Sequence, residues 1–243
     1  MLIGSLDADA LSGIEPTDEM SAAQIFSDLI RKAEYDALIP NGTVFAGKLA
    51  SLCTELAENE VPILAANIYY DGTDGIHMIG ESIFTPYTVI TIDVDGHPHR
   101  IGILGLFNTH EEPSEGMMFR HPDNSNKTLA GEAAFWLPKM REEGCEFIIA
   151  CCFGDPEENE EGKEDEEEKI TPAEQMIREC TGIDLLIEKD ADSDEITEET
   201  IQDRNGKKVY LLCETEELED GVFLFTHGND GKLTFSLSKG GLE

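Results

Sequence analysis

Asp190, Asp192, Asp194 and Glu195 crowd the end of "GIDLLIEKDADSDE", directly after an apolar run that already carries Glu188. Carboxylates this dense repel one another unless water or a cation screens them, so the segment is either a solvated loop or a hard-cation site. A second pair, His97 and His99, flanks Pro98 just after Asp95-Gly96. Spaced by two on a strand, both rings would project to one side, an arrangement zinc can use, although a surface hairpin is the expectation. His227 in "FTHGND" stands where a strand meets a turn and is expected to be structural. The six cysteines, Cys53, Cys145, Cys151, Cys152, Cys180 and Cys213, have no paired spacing. Cys151 and Cys152 are adjacent in a strand pattern and so point to opposite faces. All six are expected to act as small buried hydrophobes rather than as a disulfide framework, which fits a reducing, cytoplasmic compartment.

A formal charge of −35, from 17 basic and 52 acidic residues, excludes partners that present a phosphate backbone. It excludes anionic membrane surfaces for the same reason. The opening "MLIGSLDADA" has no basic leader, and no later run approaches bilayer-spanning length. Ten acids fall among the fifteen residues of 155–169. With so little to bury, this insertion is expected to be a mobile loop or a solvated helix extension, with an acidic interaction tail as the alternative.

The elements that must position these groups follow from periodicity. "MLIGSL" reads as a strand, and "MSAAQIFSDLIRKAEY" and "KLASLCTELAEN" as amphipathic helices. "VPILAANIYY" reads as a strand. "YTVITIDVDGHPHRIGILGLF" reads as a hairpin about Asp95-Gly96. Then come a helix in "AGEAAFWLPKMREEG", a buried strand in "CEFIIACCF", a helix in "TPAEQMIREC" capped by Thr171 with Pro172 at its first position, and a buried strand in "IDLLIE". "KKVYLLCE", "GVFLFTHG" and "KLTFSLS" alternate as strands, with turns at Asn205-Gly206 and Asp230-Gly231. The fold class expected is an α/β sandwich of two mixed sheets flanked by helices, in a single domain over 1–243.

The order of several short motifs resembles the 5′-nucleotidase/2′,3′-cyclic phosphodiesterase family of metallophosphatases, whose catalytic domain is of the calcineurin-like type. Ala66-Asn67, Pro86-Tyr87 and the run from Ile101 to Leu106 are similar to that family's "AN", "kPY" and "vGviGl". "LDADALSG", "AEYDALIPNGTVFAG", "CEFIIACCFGD" and "GIDLLIEKDAD" resemble the family's "DaGDalqG", "GYDa...GNHEFDyG", "aDviIvlsHlG" and "GIDvIigGHsH". The similarity runs along nearly the whole chain.

The resemblance implies the metallophosphatase sandwich and a two-metal cluster at the carboxyl ends of its strands, where the ions clamp a phosphoryl group and acidify a water. Carried over residue by residue, the bridging aspartate is Asp9 and the metal-binding asparagine is Asn41. The histidine that assists the transition state is replaced by Gly42, which can offer neither proton nor charge. The ligand histidine of "lsHlG" falls on Cys152, and the two of "GHsH" fall on Asp190 and Asp192. The first motif, Asp-x-His, has no counterpart in this placement. In a second placement, "LDADALSG" is a decayed first motif with Asp7 and Asp9 in the ligand positions.

Mixing a thiolate with hard oxygen donors is an unusual set for manganese or magnesium. The expectation is therefore a degenerate, N-terminally shortened domain without the family's C-terminal nucleotide-binding domain. It would be catalytically impaired and serve as a binding or regulatory module for a protein partner or a small phosphorylated ligand, with no bound metal. The alternative is an active phosphoesterase whose rewired site holds Mn, Mg or Zn through Asp9, Asn41, Cys152, Asp190 and Asp192. A third reading supplies the first motif from sequence upstream of Met1.

Overall fold

Ser21 begins the first helix with a reciprocal cap: its hydroxyl accepts from Gln24 N–H at 3.2 Å, and the Gln24 side chain accepts from Ser21 N–H at 2.9 Å. Helix α1 (Ala22–Ala33) follows strand β1 (Ile3–Leu6) and leads into β2 (Ala37–Pro40). In the computed structural model, placement is described for residues 1–6, 21–41, 55–56, 61–109, 113, 115–121, 128–155, 171–189, 197–214, 221–228 and 233–239. The remaining elements are β3 (Tyr69–Tyr70), β4 (Tyr87–Val94), β5 (His97–Thr109), β6 (Met117–Met118), α2 (Leu129–Glu142), β7 (Phe147–Asp155), α3 (Pro172–Glu179), β8 (Leu185–Lys189), β9 (Thr197–Gln202), β10 (Lys208–Glu214), β11 (Gly221–His227) and β12 (Leu233–Lys239).

The main sheet runs β4-β5-β7-β8-β10-β9, with β5, β7, β8 and β10 mutually parallel and the two edge strands antiparallel. Strands β1 and β2 form a parallel pair that single bridges extend from Leu38 to Ile63 and from Leu64 to Thr85. Alternation along β5 sorts the core into layers. Ile101 and Ile103 meet Ala37, Ile39 and Leu64 between the sheets. Leu104 and Leu106 turn the other way, onto Leu129, Ala133 and Leu137 of α2 and Ala173 and Met176 of α3. Behind the small sheet, Leu6 and Leu38 pack on Ala23, Phe26 and Ile30 of α1. The result is helix, sheet, sheet, helix, the expected sandwich.

The two sheets are in backbone contact at Gly105. A Cβ there would lie 2.2 Å from the Leu64 carbonyl oxygen, so no side chain fits. The same spot is bonded through the backbone, Ala66 N–H donating to Gly105 O at 2.8 Å. Asp184, just ahead of β8, ties the opposite end of the main sheet. It accepts from Arg141 Nη2 at 2.7 Å and from Ile148 N–H at 2.8 Å, and it pairs with Lys207.

Several expectations need correction. "VPILAANIYY" is not one strand: Ile63 and Leu64 make isolated bridges, the chain turns at Ala66-Asn67, and pairing resumes only at Tyr69. The interruption has a cause, because the Asn67 side chain takes over the backbone groups of Phe107 that a continuous strand would use. Strand β9 was not expected, since "TEETIQ" carries a single large apolar residue. The surface-hairpin reading fails for His99, whose ring is buried with Nδ1 2.9 Å from Glu146 Oε2; His97, nearer the turn, is exposed. The turn between β4 and β5 is as read, with Asp95 and Gly96 both at positive φ, 54° and 82°. Only Glu55 and Leu56 of the helix expected over 48–59, and only Asp155 of the acidic insertion, lie within the described residues. The turn at Asp230-Gly231 also lies outside them. No described helix is long and apolar enough to cross a membrane.

Candidate functional site

Two helices begin beside the carboxyl end of β5. Thr128 caps α2 by accepting from Gly131 N–H at 3.1 Å, and Thr171 caps α3 in a reciprocal box with Glu174, both bonds at 3.1 Å. The space between them is a cleft of about 190 Å³ whose wall carries Asn108, Arg120, Thr128 and Gln175 over an apolar base of Leu129 and Met176. Arg120 is the one cation among its described lining residues. Burial lowers the guanidinium's pKa, and the nearby Glu132 carboxylate opposes that shift. Its Nη1 donates to Phe119 O at 2.6 Å.

A buried polar network stands behind Arg120. The Tyr69 hydroxyl donates to Glu132 Oε2 at 2.6 Å and lies equally close to Ala66 O, while His121 N–H donates to Glu132 Oε1 at 2.9 Å. Asn67 locks the adjoining strands: its Nδ2 donates to Phe107 O at 2.7 Å and its Oδ1 accepts from Phe107 N–H at 2.8 Å. Burial, reinforced by the Glu132 hydrogen bond, pushes the Tyr69 phenol far above its ordinary pKa. The phenol therefore stays protonated and acts as a donor, not as a base.

Of the expected ligand residues, Cys152 and Asn41 lie within the described residues. Cys152 faces α2 and α3, in one cluster with Leu106, Ala173 and Met176. Its neighbour Cys151 faces the space between the sheets, in the cluster that includes Ala37 and Ile39 of β2. Cys152 thus lies across the main sheet from the strand that leads to Asn41. Asn41 itself is half-buried, its backbone N–H donating to Leu6 O at 2.8 Å. Asp9, Gly42, Asp190 and Asp192 lie outside the described residues. Burial, then the charge of Glu188, pushes the Cys152 thiol strongly up. Among the described residues, no group of three or more His, Cys, Asp or Glu is placed to hold an ion.

The raised thiols give a pH prediction. Burial, followed by the Glu179 charge, pushes Cys180 up to about 11, and Cys152 and Tyr69 are also held protonated. For such groups the folded chain keeps protons that the unfolded chain releases. Their contribution is complete below the ordinary thiol pKa of about 8.5 and is lost as pH rises toward the folded values. Thermal melts between pH 8 and pH 11 are expected to fall steadily. Cys152→Ala should lower the starting melting temperature and flatten that slope.

Sequence reading missed Arg120, Glu132 and Tyr69. Glu132 carried a signal, an acid on the apolar face of "LAGEAAFWL" that must find a partner if the helix is to be buried. Arg120 in "MMFRHPD" carried none, because its position depends on β5 and α2 meeting.

No protein-family model and no curated protein matches the chain. Among the solved structures similar in fold are the following two. The calcineurin-like phosphoesterase YfkN from Bacillus subtilis aligns with TM-score 0.54 at 18% identity, over 95% of this chain and 69% of that one. A 5′-nucleotidase from Candida albicans aligns with TM-score 0.55 at 13% identity, over 93% of this chain and 39% of that one. The chain spans about two fifths of the length of the latter. Layer order, mixed main sheet and these two likenesses agree: the chain has a metallophosphatase-like α/β fold.

Proposed function

We propose that this domain is a catalytically impaired relative of the 5′-nucleotidase-type phosphoesterases that serves as a binding or regulatory module. The observation that supports this most is Cys152. At the position where the resemblance puts a ligand histidine, the chain has a thiol sealed in the apolar layer beneath α3 and kept protonated by burial. Gly42, Asp190 and Asp192 at the other histidine positions point the same way. A small phosphorylated ligand would find its donors in the cleft at Arg120, Asn108 and Gln175.

The purified chain, incubated with manganese, magnesium or zinc and p-nitrophenyl phosphate, is expected to release no product above the metal-only blank. Hydrolysis that disappears in Asp9→Ala would overturn the proposal in favour of the rewired metal site. In a parallel titration with inorganic phosphate, any binding is expected to weaken in Arg120→Ala.

A further inference from the structure

The loop between β3 and β4 exposes three large apolar side chains in four positions: Ile76, Met78 and Ile79 are 81, 76 and 61% accessible. Isolated exposed apolar residues are ordinary on a protein surface, but a contiguous group on a protruding segment is not. The segment's own carboxylates brace its backbone in this exposed arrangement. Asp71 accepts from Thr73 N–H at 2.8 Å and from its hydroxyl at 2.7 Å. Asp74 accepts from Ile76 N–H at 2.9 Å, His77 N–H at 3.0 Å and His77 Nδ1 at 2.6 Å. Glu81 accepts from Met78 N–H at 3.1 Å.

The base of the loop is closed as firmly. Tyr70 N–H donates to Glu81 O at 2.8 Å and Gly80 N–H to Tyr70 O at 2.9 Å, and the His77 ring stacks flat on Tyr70 with centroids 3.7 Å apart. Gly72, at φ +78°, brings the entering arm against Ile79, where a Cβ would lie 3.2 Å from the Ile79 nitrogen. An apolar tip held in one conformation loses little entropy on docking, which is the property of a preorganised contact.

We infer that the 71–81 loop is a docking element whose occupant is a protein segment with an apolar stripe flanked by lysine or arginine, such as a basic amphipathic helix. Charge selects this occupant. The tip is apolar while its supports, Asp71, Asp74 and Glu81, are acidic, and the chain as a whole carries −35. A second copy of the chain would bring the same charge to the contact, and an anionic lipid surface would be repelled in the same way. The inference rests on the reading of the domain as a binding module, but its test measures contact at the loop and not hydrolysis, so either can fail alone.

The test is a methyl-resolved NMR titration of the whole chain with a synthetic leucine–lysine amphipathic helix. Two controls accompany it: the same peptide with glutamate for lysine, and a lysine peptide with serine for leucine. Shifts concentrated on Ile76, Met78 and Ile79, seen with the first peptide only, are the expected result. The triple variant Ile76→Ser/Met78→Ser/Ile79→Ser is expected to bind about tenfold more weakly or worse. The shifts in the unaltered chain carry the test independently of the variant. Equal binding of the serine peptide would reduce the effect to charge alone and overturn the inference. Equal binding of the glutamate peptide, shifts centred elsewhere, or loop shifts that follow the concentration of the chain alone would also overturn it.

Discussion

Gly105→Ala is expected to be the most damaging glycine-to-alanine change among the described residues. The added carbon would sit 2.2 Å from the Leu64 carbonyl oxygen and 2.6 Å from the Leu64 carbonyl carbon, and both belong to backbone that cannot rotate away. Gly105 pairs with Cys151 of β7, its N–H donates to Pro86 O at 3.2 Å just ahead of β4, and its own carbonyl bonds Ala66 N–H. Relief therefore requires the two sheets to separate. Overpacking commonly costs about 1–3 kcal/mol, and a rigid backbone obstacle puts this case at or above the top of that range. Against a total stability of about 5–15 kcal/mol, the variant is expected to melt many degrees lower or to be recovered insoluble. Gly102→Ala is the control. Its new Cβ would meet the Met140 methyl at 2.5 Å, the end of a flexible side chain that can swing aside, so a smaller loss is expected. Equal melting temperatures for Gly105→Ala and the unaltered chain would show that the inter-sheet contact is looser than described.

The second large effect is expected at Glu132. Its carboxylate is almost fully buried, accepts from Tyr69 and His121, and opposes the desolvation of Arg120. Glu132→Ala would leave the Tyr69 and His121 donors without their acceptor and remove the charge that opposes the desolvation of the half-buried Arg120. A buried donor left without its acceptor costs about 1–3 kcal/mol, and here there are two. Glu132→Gln keeps one acceptor oxygen and the shape, and is expected to lose less. Tyr69→Phe removes one neutral donor to a charged acceptor and is expected to cost about 1.5–3 kcal/mol. If the network acts as a unit, the double variant Glu132→Ala/Tyr69→Phe will lose less than the sum of the two single losses in denaturant melts. Strict additivity would mean that the phenol and the carboxylate are not coupled.

Both sites show where sequence reading stops. The elements were legible wherever one local rule decided them: Asp95-Gly96 for the hairpin, Thr171-Pro172 for the start of α3, and the alternating Ile101 to Leu106 run for β5. β9 escaped because an edge strand supported by its neighbour needs no apolar pattern of its own. The break at Asn67 escaped because "VPILAANIYY" contains no turn residue stronger than the asparagine, and the partner that makes the asparagine a break, Phe107, is 40 residues away. The site was legible only as a set of substitutions. That Cys152 rather than Cys151 faces the helices depends on the register between β5 and β7, which pairs it with Leu106. The Arg120 cleft depends on three segments converging and could not be read from any one of them.

The adjacent cysteines have a practical use that follows from this register. Cys151 is sealed between the two sheets and Cys152 between the main sheet and its helices, one peptide bond apart. Each thiol becomes reactive only when its own layer opens, so the rates at which a small alkylating reagent modifies them in the native chain would time the opening of the two layers separately. The molecule contains, in one dipeptide and without engineering, a two-channel clock for its own local unfolding.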